Sequence, residues 1–204
     1  MDTDNSHSWL AYEREAESPL CDTQTKNHAL SVLRNISKER EEGNGEENFF
    51  VAIGFHKPHL PFVFPKEFLD YYPQDEIQLP PNQFAPDGMP TIAWQPYGET
   101  RSYHDITALN ASGAINTTLP AWKVKQLRRA YYSAVSYTDS NIGAVLDELD
   151  NLGLADNTLV VFWGDHGWQL GEHGEWDKHT NFDLATHVGF EQERREGRRG
   201  KRDR

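Results

Sequence analysis

Apolar and polar residues fall along this chain in blocks that predict helix, strand, long helix, strand. Ala29, Val32, Leu33 and Ile36 sit at i, i+3, i+4 and i+7, the spacing of one helix face, and predict a helix from about Asp22 to Arg40. A charged, Gly-containing loop follows from Glu39 to Asn48. The run Phe49-Phe50-Val51-Ala52-Ile53-Gly54-Phe55 predicts a strand buried on both faces. It stops at His56-Lys57-Pro58-His59, where proline removes a ladder donor. Tyr72 to Thr118 holds six of the eleven prolines and no clear period, so it is expected as a long irregular excursion of the kind that carries function. Pro120 can open a helix, and Tyr131, Val135, Ile142, Val145, Leu146 and Leu149 give one apolar stripe that Gly153 would end. Leu159-Val160-Val161-Phe162-Trp163 predicts a second buried strand, ending in Gly164-Asp165-His166-Gly167. The first 20 residues are polar and unpatterned and are expected to be loose.

This order of elements predicts an α/β fold with a mainly parallel or mixed sheet flanked by helices. Ligands in such folds bind beyond the carboxyl ends of the strands, and both polar clusters, HKPH and GDHG, lie there.

Composition narrows the function classes. The 204 residues carry a formal net charge of −12, which argues against general nucleic-acid binding. The charge is uneven. Residues 189–204 hold seven basic and four acidic groups, a net of +3, while the other 188 residues hold 13 basic and 28 acidic groups, a net of −15. No aliphatic or aromatic residue follows Phe190, so this tail is expected to be disordered. No run approaches the roughly 18 apolar residues of a membrane span, and Met1 to Leu20 does not have the pattern of a signal peptide. The one cysteine, Cys21, cannot form an internal disulfide, and no Cys/His zinc pattern is present.

Asp165 and His166 offer an oxygen and a nitrogen ligand side by side at a strand end, and the flanking glycines allow close approach of the backbone. A turn-capping Asp and a His bonded to a carbonyl would account for DHG alone. The density of groups that follows (Trp168, Glu172, His173, Glu175, Trp176, Lys178, His179, Asp183, His187) is unusual for a solvated loop and favours a site. His56 and His59 bracket Lys57; imidazole suits acid–base work near neutral pH and Lys offers a point charge for an anion. Together these residues describe a pocket for a metal ion and an anionic substrate, the equipment of a metal-assisted hydrolase of an anionic ester. Three sequons, at Asn35, Asn110 and Asn116, mark possible glycosylation and lean toward the secretory route.

The stretches FFVAIGFHKPHLPFVFPKEFLDYYP, YYSAVSYTDSNIGAVLDELDNLGL and VVFWGDHGWQLGEHGEWDKHTNFDLATHV resemble the sulfatase family, from about Asp22 to Val188. The resemblance implies an alkaline-phosphatase-like α/β domain and hydrolysis of a sulfate ester, the 2-O-sulfate of iduronate in the sulfated glycosaminoglycans heparan and dermatan sulfate. It implies Ca²⁺ and a formylglycine made from the cysteine of a C-x-P-x-R motif. By motif match, Asp165 and His166 would be calcium ligands. His56 would contact the sulfate and help protonate the leaving oxygen, and Lys178 would hold a sulfate oxygen and stabilise developing charge. Trp168 and His173 would line the sugar pocket. The parent protein would be lysosomal or secreted.

Departures from the family pattern accompany the match. No C-x-P-x-R motif is present, because Cys21 is followed by Asp22-Thr23-Gln24. The paired aspartates expected in the family's calcium site are also lacking, and Gly189 begins the charged tail where relatives continue with an apolar strand. The expected organisation is a loose segment 1–21, a partial sulfatase domain 22–188 incomplete at both ends, and the tail 189–204. The chain alone is expected to be inactive. The competing readings are a phosphodiesterase of the same superfamily, a non-catalytic binder of anionic glycan, and a polyanion-binding role for the tail.

Overall fold

The structure, a computed structural model, describes residues 6–13, 19–43 and 48–194. In chain order its elements are β1 (Trp9–Tyr12), α1 (Cys21–Glu41), β2 (Phe62–Pro65), α2 (His104–Thr107), α3 (Ala121–Asn151), β3 (Leu159–Trp163), β4 (Gln169–Leu170), β5 (Trp176–Asp177), α4 (Asp183–Thr186) and β6 (Phe190–Arg194). Among the described residues the strands form three two-stranded ladders: β1–β2 parallel, β3–β6 antiparallel and β4–β5 antiparallel. The chain divides into two units. The first takes the described residues of Met1–Ala16, Lys57–Tyr137 and Gly164–Gly189, and the second those of Glu17–His56, Thr138–Trp163 and Phe190–Arg204.

The second unit is built on α1 and the later turns of α3. Ala29, Leu33, Val145, Leu149, Leu154 and Ala155 are buried together, and Ile36, Ile53, Phe55 and Val160 pack against them. The expected helix 22–40 forms as α1, with Asp22 in its first turn and Lys38 and Arg40 in its last, the signs that complement the helix dipole. Gly153, with φ +67, ends α3 as its spacing predicts. The Leu154 amide donates to the Leu149 carbonyl and the Gly153 amide to that of Asp150, a pairing that requires a left-handed residue after the helix.

Both expected buried strands differ from the reading. Residues 49–55 belong to no ladder among the described residues, and exposure alternates along them: Val51, Ile53 and Phe55 are half-buried and Phe50, Ala52 and Gly54 exposed. β3 is a strand, yet Leu159, Phe162 and Trp163 are 56%, 49% and 62% exposed. A run of apolar side chains shows that both faces tolerate burial; whether something covers them is decided elsewhere in the structure. The tail also differs, because Phe190–Arg194 pairs with β3 from Trp163↔Phe190 to Leu159↔Arg194. A ladder needs only backbone N–H and C=O groups, so absence of apolar side chains did not exclude it. The remainder of the expected tail lies outside the described residues.

In the first unit the expected looseness of the N-terminal segment fails at β1, which pairs with β2 in register Trp9↔Phe62 to Tyr12↔Pro65. Trp9 stacks near Phe64, with ring centroids 6.4 Å apart. Just before β1, buried Ser8 donates through its amide (2.9 Å) and hydroxyl (2.7 Å) to Asp105, which also receives the Lys123 ammonium at 2.6 Å. Lys123 is buried, so this charge is kept only because a carboxylate meets it. The Pro-rich stretch is irregular as expected, with 3-10 turns and α2 as its only helices. It is nonetheless well packed, since Tyr97, Tyr103 and Ile106 are buried. No helix among the described residues is long and apolar enough to cross a membrane.

Leu33 fills the centre of the second unit's cluster. Leu33→Ala is expected to cost about 2–5 kcal/mol, read as a lowered urea midpoint and faster hydrogen exchange in α1. Unchanged exchange would show that the cluster does not hold the helix.

Candidate active site

The candidate residues of the first unit hang on the β4–β5 hairpin. Its turn uses left-handed backbone at Gly171 (φ +94), His173 (φ +60) and Gly174 (φ +78). At Gly174 a Cβ would come within 3.0 Å of the Trp94 ring, so a side chain there would be crowded. Arg128 of α3 clamps the turn, its Nη1 donating to Glu172 Oε1 (2.6 Å) and the Leu170 carbonyl (3.1 Å), while Glu172 Oε2 accepts from the Leu170 amide. Trp168 enters this hairpin and Lys178 leaves it, which brings two residues ten positions apart into one place.

Trp168 is the hub. Its ring lies 6.1 Å from those of His59 and Phe62 and 6.2 Å from those of Tyr131 and His166, and the Lys178 ammonium sits 5.3 Å from its centre, within cation–π range. Burial pushes the Tyr131 phenol up to about 12. Lys178 Nζ is 2.9 Å from His59 Nε2, and His59 Nδ1 is 2.7 Å from the Leu60 carbonyl. A carbonyl only accepts and an ammonium only donates, so Nδ1 carries the proton and Nε2 accepts from Lys178. Lys178 and His59 therefore form one polar unit on an aromatic floor. The indole Nε1 of Trp168 and Nδ1 of His173 are buried without a hydrogen-bond partner. Donors left so are what a bound ligand would satisfy. His173 stacks on Phe182 at 4.4 Å.

Asp165 and His166 remain adjacent, with His166 Nε2 3.6 Å from Asp165 Oδ2. His166 Nδ1 donates to the Gly167 carbonyl at 2.8 Å, so Nε2 turns its lone pair toward the carboxylate unless the ring is protonated. A cation between them would suit both atoms. Calcium, however, takes about six to eight oxygen ligands, and no group of three His, Cys, Asp or Glu that could hold a metal occurs among the described residues. These residues thus supply part of such a site and do not complete it, and no chemical step through a metal follows from them. Of the two flanking glycines only Gly167 is required by close packing: a Cβ there would overlap the Leu184 carbonyl oxygen, whereas Gly164 has room.

His56 belongs to the second unit, where its amide donates to Asp22 at 2.8 Å and its residue is exposed. Lys57, expected as a point charge for an anion, instead donates to the carbonyls of His59 and Pro61, each at 2.8 Å, and so shapes the turn that presents His59. The sequon asparagines are all exposed: Asn35 lies within α1, and Asn110 and Asn116 hold left-handed backbone.

Sequence reasoning missed Glu99 and the buried Asp177, and it counted His179 and the buried Glu175 in the dense cluster after DHG without giving either a role. Glu175 accepts from the Gln95 amide (3.0 Å), and Asp177 from the Thr100 amide (2.8 Å) and hydroxyl (2.5 Å). Burial pushes Glu175 up to about 7 and Asp177 up to about 6, against those hydrogen bonds, which favour the ionised form. Gly98 (φ +42) packs so closely on Asp177 that a Cβ would stand 2.5 Å from its Oδ2. Nothing in GETRS announces this contact locally; the only signal was two acids, Glu175 and Asp177, flanking Trp176.

The helices and short ladders make a mixed helix and strand fold with the cluster at the strand ends. The phosphonate monoester hydrolase SpPMH from Silicibacter pomeroyi superposes with TM-score 0.64 at 20% identity, over 95% of this chain and 38% of that one. The family model described as Sulfatase matches residues 5–191. The iduronate 2-sulfatase of Homo sapiens is 42% identical over 172 residues, 84% of this chain and 30% of that protein. A sulfatase of Formosa agariphila is 36% identical over 179 residues, 87% of this chain and 32% of that protein. The fold is the alkaline-phosphatase-like one. The chain belongs to the sulfatase family, and it spans about a third of the length of the curated relatives it matches.

Because the folded-state values of Glu175 and Asp177, about 7 and about 6, lie above the ordinary carboxylate values of 4.5 and 3.8, the folded chain holds extra protons between about pH 4 and 7. Their contribution to stability is full below that window and is lost as pH rises through about 6 to 7. The urea midpoint of wild type is expected to fall across this range more steeply than that of Glu175→Gln. Parallel profiles for the two would refute the assignment.

Proposed function

We propose that the protein acts as a sulfuric ester hydrolase on sulfated glycosaminoglycan, removing the 2-O-sulfate of iduronate in heparan or dermatan sulfate. One observation carries the reading: Lys178 lies on the face of Trp168 beside His59, a cationic and aromatic cluster suited to a sulfated sugar. The 42% identity to iduronate 2-sulfatase supports the substrate assignment. In this reading Lys178 holds a sulfate oxygen and offsets charge that grows in the transition state, a role for which a fixed cation in a partly dry site is effective. Trp168 stacks on the sugar, and His173 lines the pocket through its unpartnered nitrogen.

The family uses Ca²⁺ and formylglycine, which together supply the nucleophile and Lewis-acid charge. Asp165 and His166 would contribute to holding the cation. The cysteine motif from which formylglycine is made is not in this sequence, so this chain by itself is expected to lack turnover. The acidic body and three sequons fit a lysosomal or secreted parent protein.

The decisive experiment compares fluorogenic sulfate-ester and phosphodiester substrates, with this chain and with the full-length parent. The parent is expected to cleave a 2-O-sulfated iduronide and this chain is not. Lys178→Ala in the parent is expected to lower kcat/KM by about 10²–10³. A preference for the phosphodiester, or turnover by this chain alone, would overturn the respective claim.

A further inference from the structure

Three basic nitrogens of the first unit converge on one carboxylate. Glu99 Oε1 lies 3.6 Å from Lys178 Nζ and 3.6 Å from His179 Nε2, and Oε2 lies 3.6 Å from His59 Nε2. These separations exceed hydrogen-bond range, so the Lys178 ammonium attracts the carboxylate through charge without a directed bond. Its side chain is 38% exposed. The backbone around it is fixed, since buried Thr100 is bonded to Asp177 and Gly98 packs against the same carboxylate. Glu99 is therefore a rotatable acid on a rigid base, pointed toward Lys178 and the two imidazoles, with Asp177 as a neighbouring like charge.

We infer that Glu99 is an internal anion occupying the place of the ligand's anionic group, and that an incoming sulfate displaces it. The inference rests on the reading of this site as one for a sulfated ligand. Exposed ion pairs contribute little each, so turning Glu99 outward costs little. A sulfate, compact and rich in acceptor oxygens, can take hydrogen bonds from the Lys178 ammonium and the His179 imidazole that Glu99 at 3.6 Å does not. The consequence is selectivity: a weakly held anion does not displace Glu99, whereas a sulfate that engages both Lys178 and His179 does.

The test titrates this chain with inorganic sulfate at low ionic strength, where surface charge is least screened, by calorimetry and by the tryptophan indole N–H resonances. Glu99→Gln is expected to bind sulfate about 5- to 10-fold more tightly than wild type, at an unchanged melting temperature, with Glu99→Ala behaving alike. Equal or weaker binding by both variants, or no binding by any form, would overturn the inference. So would binding that survives Lys178→Ala, because the anion would then sit elsewhere. The outcome is independent of catalysis: a parent that cleaves no sulfate ester would remove the proposed function and leave this result standing.

Discussion

The buried carboxylate of Asp177 is the fixed point on which the first unit's chemistry depends. It sits in the short strand β5, receives the amide and hydroxyl of Thr100, and leaves space against Gly98 only because that residue has no side chain. Glu175, just before that strand, takes the Gln95 amide in the same way. Two acids on either side of Trp176 thus anchor both ends of the segment 95–100. An irregular chain held at two buried points can present a charged residue between them in one place. That residue is Glu99, and the strand that anchors it delivers Lys178 one residue further on.

The site's electrostatics run against those of the molecule. The chain as a whole is strongly acidic, yet Lys178, His59 and His179 gather beside one aromatic ring and one carboxylate. Screening confines the attraction of distant acids to within about a Debye length of ~10 Å, so a local basic cluster can serve an anion on an acidic protein. The aromatic floor matters as much as the charge. Trp168, itself packed against Tyr131 and Phe62, covers one side of Lys178, and a cation beside a ring face keeps its attraction for an anion on its open side.

The metal question separates geometry from family membership. Asp165 and His166 meet as donors, and their lone pairs face one another at 3.6 Å. That arrangement suits a cation, but two donors are too few for calcium. The chain covers about a third of its relatives' length.

Much of this was legible in the residues. The helix stripes gave α1 and α3 to within about two residues, the left-handed Gly153 ended α3, and strand-end positions marked His59, Asp165, His166 and Trp168 as chemistry. Periodicity reports which side chains can be buried on one face, so it succeeds where an element satisfies its own backbone, as a helix does. It fails for strands, whose partners lie elsewhere: residues 49–55 have none among the described residues, β3 is exposed, and β1 and β6 arise in segments that composition marked as loose. Side-chain meetings across long sequence separations were equally hidden. His59, Glu99 and Lys178 share no local pattern, and only the packing of the hairpin and the anchored loop brings them within reach. The sequence by itself determined the helices, the sulfatase relationship and the candidate residues, because these are local or compositional. The tertiary structure decided that Lys57 serves the backbone, that Glu99 faces the bases, and which buried acids hold it there, because charge and burial act through space.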